Sequence, residues 1–185
     1  MAFYRNPKFF IINGIYNNDY LLAKFGEEQN NDDIQESRTG QAKWRDELAE
    51  YSISITAEDN DFVECPFTGV KVQYPAESAF LRASHIKAYA KCKMNNGKID
   101  IAEAYDLNNG FLVIADVDAL FDKYMITVDP CTLKIIKSPS LSTDVLNHLK
   151  LNSSIPDKYM TEKKKEYLQI HYDEFIRRNG ISVSA

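Results

Sequence analysis

The stretch LRASHIKAYAKCKMNNGKIDIAEAYDLNNGFLVIADVDALFD, residues 81–122, decides how the chain is read. The segment SAFLRASHI (78–86) has the length and composition of a short strand that ends at His85, and KMNNGKID (93–100) has the Asn-Gly chemistry of an exposed loop tip. After Asn109-Gly110 comes GFLVIA (110–115), a continuous apolar run of strand length. Asp116 then stands where an N-cap would open a helix over VDALFDKY. The expected order is strand, long loop, strand, short helix.

Asp118 and Asp122 are four residues apart, so on that helix they share one face. Two carboxylates so placed repel unless a cation lies between them. Carboxylate oxygens suit Mg, Mn or Ca better than the softer zinc-type sites. A solvated acidic face, or aspartates acting only as caps, accounts for the same spacing. The apolar neighbours Ala119, Leu120 and Phe121 favour a helix seated on a core, where paired carboxylates need compensation. His85 supplies the other half of a candidate site, because neutral imidazole takes a proton from water near pH 7. No Ser-His-Asp or Cys-His arrangement suggests acyl transfer.

Outward from this stretch, CPFTG (65–69) is a turn punctuated by Pro66 and Gly69. GQAKWRDELAEY (40–51) sets Trp44, Leu48 and Tyr51 on one face of an amphipathic helix. The polar run GEEQNNDDIQESRTG (26–40) lacks periodicity and reads as a loop or linker, preceded by an apolar segment (Phe9 to Ile15) and a helix from about Asp19. YMITVDP and LKIIKS form a hairpin turning at Asp129-Pro130. Two helices are expected to follow, about Ser142 to Leu149 and Asp157 to Arg178. On the second, Tyr159, Tyr167, His171 and Phe175 make an inner stripe and Lys163 to Lys165 a solvated face. His148 and His171 are expected to be packing histidines.

The net charge of −5 disfavours a nucleic-acid partner by itself, but its distribution reverses that inference. Residues 1–64 carry 6 basic and 13 acidic residues, whereas residues 71–98 carry 6 basic residues against Glu77 alone. His85 lies inside that positive segment. Cys65, Cys92 and Cys131 form no CxxC pair, so reduced thiols, each buried or half-buried, are expected rather than a disulfide framework or zinc knuckle. No stretch has the roughly 20 apolar residues of a membrane span, and the N-terminus lacks the pattern of a signal peptide, so a cytoplasmic location is expected.

The ordered set Ser84-His85-Ile86, Asn109-Gly110, Phe111-Leu112-Val113 and DALFDKYMIT (118–127), with Cys65, Thr68 and Gly69 ahead of it, resembles the HNH nucleases. These are the ββα-metal, or His-Me finger, endonucleases, and the similarity is to the branch found in bacterial restriction-type enzymes. It covers about residues 39–128, and the helix at GQAKWRDELAEY is similar to the Gln, aromatic and Arg segment that precedes the turn in that branch. The resemblance implies an α+β fold with a ββα-metal finger core, flanking helices and a short hairpin. Residues 1–38 would be an accessory region with an acidic linker, 39–130 the nuclease core, and 131–185 a hairpin strand and helices packed on it.

The resemblance also assigns roles. His85 matches the general base, Asn109 the residue that braces the loop and orients that base, and Asp118 and Asp122 the metal-ligand positions on the helix. Ser84 stands where many members carry an acidic or histidine ligand, which leaves open whether Ser84 or Asp122 completes the shell. The implied activity is metal-dependent DNA endonuclease cleavage with Mg or Mn, of restriction or phage-defence type, leaving 5′-phosphate and 3′-hydroxyl ends. Arg82, Lys87, Lys91, Lys93 and Lys98 would hold backbone phosphates of double-stranded DNA, and cutting both strands of a palindrome would favour a homodimer. A catalytically silent nucleic-acid-binding or interaction module on the same scaffold is the competing reading. A third is an α+β domain without the finger, in which His85 is merely buried and the aspartates are caps.

Overall fold

The computed structural model describes residues 31–56 and 61–181. The apolar segment Phe9 to Ile15 and the helix expected from Asp19 lie outside them. The chain divides into two compact units, Met1–Arg38 and Thr39–Ala185. In the first, the described part is helical backbone from Asn31, the start of helix α1 (Asn31–Ile55). The expected loop over 26–40 is therefore corrected for residues 31–40. Gln, Glu, Ser and Arg cost little in a helix, so a stretch without an apolar stripe can still continue one seeded by the amphipathic segment after it.

Among the described residues, the second unit is a small α+β assembly of three two-stranded antiparallel pairs and four further α-helices. β1 (Phe62–Glu64) pairs with β2 (Lys71–Gln73), β3 (Leu81–His85) with β4 (Gly110–Ile114), and β5 (Ile126–Val128) with β6 (Ile135–Lys137). The turn at CPFTG forms as expected, with the Gly69 and Thr68 amides donating to the Cys65 carbonyl and Gly69 at φ +71°. The helices are α2 (Ile101–Ala104), α3 (Ala115–Asp122), α4 (Thr143–Leu149) and α5 (Glu162–Asn179).

Hairpin β3–β4 divides two apolar cores, and strand alternation explains how. Phe111 and Val113 face a core with Val117 and Phe121 of α3 and Leu168 of α5, whereas Leu81 and Leu112 face Trp44 and Leu48 of α1 with Val63 and Val72. Cross-strand partners share a face, so Ser84 opposite Phe111 belongs to the α3 side and His85 opposite Gly110 to the α1 side. Gly110 admits the close approach of α1, since a Cβ there would stand 2.3 Å from the Trp44 ring.

Several expectations change at the level of packing. Asp116 does not cap α3, which begins at Ala115 after an Ile114 cap that accepts no side-chain bond; Asp116 sits in the first turn, where its charge suits the helix dipole. Helix α5 starts at Glu162, after a short turn over Asp157–Tyr159 and a Thr161 cap. Lys164 is buried among Tyr167, Leu168, His171 and Phe175 instead of standing with Lys163 and Lys165 on a solvated face. His171 packs as expected, but His148 is exposed, 3.8 Å from Asp116. Cys65 and Cys92 are buried free thiols, whereas Cys131 is exposed.

Candidate functional site

His85 ends β3 with one ring nitrogen engaged and the other without a partner among the described residues. Its Nε2 lies 3.1 Å from the Ala104 carbonyl, which can only accept, so the proton of the neutral ring sits on Nε2 and Nδ1 keeps its lone pair. Trp44 stacks over the ring at a centroid distance of 4.2 Å, and Tyr89 and Tyr105 crowd it at 5.9 and 6.4 Å. Burial among these rings pushes the imidazole down to about 4, against a smaller upward pull from the Ala104 bond. His85 is therefore unprotonated at neutral pH.

Asn109 is fully buried and closes the loop that follows His85. Its Oδ1 accepts the Lys87 amide at 2.7 Å, while its Nδ2 donates to the Lys87 and Glu103 carbonyls at 3.2 Å each. These partners settle which end of the amide is oxygen. The Ile86 amide donates to the Asn109 carbonyl at 3.0 Å, so one residue holds both ends of a turn about twenty residues long in sequence.

On the other face of β3, Ser84 is buried and its hydroxyl lacks a hydrogen bond of regular geometry. It still lies near enough to Asp118 to hold that carboxyl down somewhat. Burial dominates and raises Asp118, the charge of Asp122 raises it further, and Arg82 opposes them. Asp122 reaches solvent at the helix end, yet crowding by protein raises it too, against a downward pull from Lys123. A buried hydroxyl beside Asp118, whose charged form is disfavoured by burial and by the nearby Asp122, is an environment a divalent cation relieves. Among the described residues, no three His, Cys, Asp or Glu side chains gather as a metal cage. Mg fits nonetheless, because it is commonly held by one or two carboxylates, with waters and phosphate oxygens filling the remaining positions.

The structure thus brings Ser84 and Arg82 of β3 near Asp118 of α3, with Asp122 one turn further along that helix, whereas His85 faces the other side of the hairpin. No described hydrogen bond or ion pair joins His85 to either aspartate. The two sets are linked through the Ser84–His85 peptide at the end of β3.

The expected phosphate-binding cations divide as well. Lys87 is tied to Glu103 at 2.6 Å, whereas Lys91 lies 3.6 Å from Glu174, a carboxylate it shares with Arg177 and Arg178. Arg82 spends one guanidinium nitrogen on the Ala79 and Leu81 carbonyls. Lys93 and Lys98 stand exposed on the loop tip around Gly97.

Trp44, Tyr89 and Tyr105 are parts of this site that the sequence pattern did not single out for it. Trp44 was legible only as a core residue, because nothing local indicates which ring it covers. Among the described residues, no helix is long and apolar enough to cross a membrane. Residues 65–129 match a family model described as HNH endonuclease. No curated protein matches the chain.

Proposed function

From residues 65–129 as a segment of the HNH endonuclease family, we propose that this protein is a metal-dependent DNA endonuclease built on a ββα-metal finger formed by β3, β4 and α3. The observation that carries the reading is His85 at the end of β3: Nε2 anchored to a backbone carbonyl, Nδ1 without a partner among the described residues, and its sequence neighbour Ser84 beside Asp118 of α3.

His85 Nδ1 accepts the proton of a water that attacks phosphorus in line with the departing 3′ oxygen. Trp44 over the ring face and the Ala104 carbonyl at its Nε2 edge hold the imidazole plane and tautomer, which shortens the search for a reactive geometry. Asn109 keeps the loop closed so that the Ala104 carbonyl stays on Nε2. Asp118 and Asp122, with Ser84, would hold Mg or Mn. When bound, the cation supplies positive charge to the phosphoryl oxygens and leaving group. The guanidinium nitrogens of Arg82 not used on its own backbone, together with Lys93 and Lys98, position the phosphate chain without reading its sequence. Cleavage of double-stranded DNA in a restriction or phage-defence setting, by a cytoplasmic protein that acts on palindromes as a homodimer, is the biological form of this proposal. The domain assignment proposed with it takes 39–130 as the nuclease core, with 1–38 and 131–185 flanking it.

The test is incubation of supercoiled plasmid with the protein and Mg or Mn, with and without chelator, alongside His85→Ala. Nicking that needs the metal and His85 is the expected result. An intact plasmid with every divalent metal, or equal cutting by His85→Ala, would overturn the mechanism. Duplex binding without cleavage would instead favour the silent scaffold.

A further inference from the structure

Lys164 is an ammonium in an apolar place. It is 3% exposed, its Nζ donates to the Gly110 carbonyl at 2.7 Å, and it lies 4.6 Å above the Phe111 ring and 5.7 Å from the Tyr51 ring. Among the described residues no carboxylate forms an ion pair with it, although the charge of Asp106 supports it from a distance, and a buried charge without a direct partner is costly. Burial accordingly pushes the amine down to about 8.

Its hydrogen-bond acceptor among the described residues, the Gly110 carbonyl, shows what the placement achieves. Gly110 is the ladder partner of His85 and follows Asn109, and the Trp44 ring leaves no room for a Cβ on it. The Asn109 carbonyl is used by Ile86, whereas the Gly110 carbonyl is held by Lys164. The same end of α5 grips the preceding turn at three more points. Thr161 Oγ1 donates to Asn108 Oδ1 at 2.6 Å, Lys163 pairs with Asp106, and the Tyr167 hydroxyl donates to Asp106 at 3.4 Å. Trp44 Nε1 holds the Asp106 carbonyl from α1 at 3.2 Å. Residues 106–110 are clamped between two helices that both lie outside residues 65–129.

We infer that Lys164 is a positioning residue for His85, fixing the Gly110 peptide so that Asn109 and the β3 end keep the imidazole in its working orientation. The inference rests on the nuclease reading for its catalytic consequence and on geometry alone for its mechanical one. It makes α5 part of the catalytic unit, with Lys164 acting from about 80 residues beyond the base in sequence.

The experiment compares wild type, Lys164→Met and Thr161→Val by plasmid cleavage kinetics and by amide hydrogen exchange. Lys164→Met keeps the volume and removes both the bond and the buried charge. It is expected to melt no lower than wild type by more than a few degrees, to lose about tenfold in kcat with KM within twofold, and to exchange the Ile86 and Lys87 amides about tenfold faster. Thr161→Val loosens the neighbouring tether, with about threefold effects on the same quantities, and decides the matter if Lys164→Met does not fold. A kcat within twofold of wild type, or unchanged exchange at Ile86 and Lys87, overturns the inference. Faster exchange in a protein whose wild type cuts nothing supports the clamp and sinks only the nuclease reading.

Discussion

His85 and His171 look alike by the usual measures and differ in the one that bears on chemistry. Both lie against aromatic rings, both reach a backbone carbonyl at 3.1 Å, and burial pushes both to about 4. His171, though, has both nitrogens engaged: Nε2 donates to the Phe121 carbonyl and Nδ1 accepts from Thr127 Oγ1 at 2.9 Å. It stacks on Phe121 at 3.8 Å and ties α5 to the end of α3. His85 leaves Nδ1 unused. A perturbed histidine is thus a structural strut when its hydrogen bonds are complete and a candidate base when one is missing.

The sharpest way to break this comparison is to truncate each ring in turn. His85→Ala is expected to lower plasmid cleavage by about 10²–10⁴-fold, the usual worth of a positioned general base, while shifting Tm little. Asp118→Asn should abolish metal-dependent cleavage to a similar degree and leave the metal-free Tm equal or higher by up to about 2 °C, because the carboxyl it replaces is disfavoured in its charged form. Added Mg or Mn should raise the Tm of wild type but not of Asp118→Asn, read by thermal denaturation. His171→Ala should do the opposite of His85→Ala. It should cost about 2–4 kcal/mol, a Tm lower by about 6–12 °C, with kcat per folded molecule nearly unchanged.

Acid treats the two histidines alike. Their folded-state values lie below the 6.5 of an ordinary histidine, so the unfolded chain takes up protons that the folded chain rejects. Their contribution is complete above pH 6.5 and lost as pH falls through about 4, on the order of 3 kcal/mol for the fully buried His171. Asp118 and Asp122, raised in the fold, act with the opposite sign and recover stability as they protonate. Denaturant midpoints between pH 4 and 7 should therefore fall on acidification, and less steeply in His171→Leu than in wild type.

The smallest effects concern the lysines. Lys93→Ala and Lys98→Ala should each weaken duplex binding severalfold and reduce its salt dependence by roughly one phosphate contact. Lys87→Ala and Lys91→Ala should do less, since each ammonium already faces a carboxylate, Glu103 and Glu174 respectively. Fluorescence anisotropy at two salt concentrations would separate the pairs.

The sequence by itself determined what depends on near neighbours. Strand-length segments marked β3 and β4, the Asn-Gly segment marked a loop tip between them and Pro-Phe-Thr-Gly the turn between β1 and β2, and four-residue spacing put Asp118 and Asp122 on one helical face. Lys164 was within reach of the same logic, since it stands in phase with Leu168, His171 and Phe175, but lysine is so often solvated that its identity outweighed its position. Only the tertiary structure decided which groups share a surface. It put Ser84 with the aspartates and His85 under Trp44, spent Lys87 and Lys91 on ion pairs, and brought α5 onto the Gly110 carbonyl. Those outcomes depend on contacts between residues tens of positions apart, whose energies come from packing and desolvation and leave no trace in local spacing.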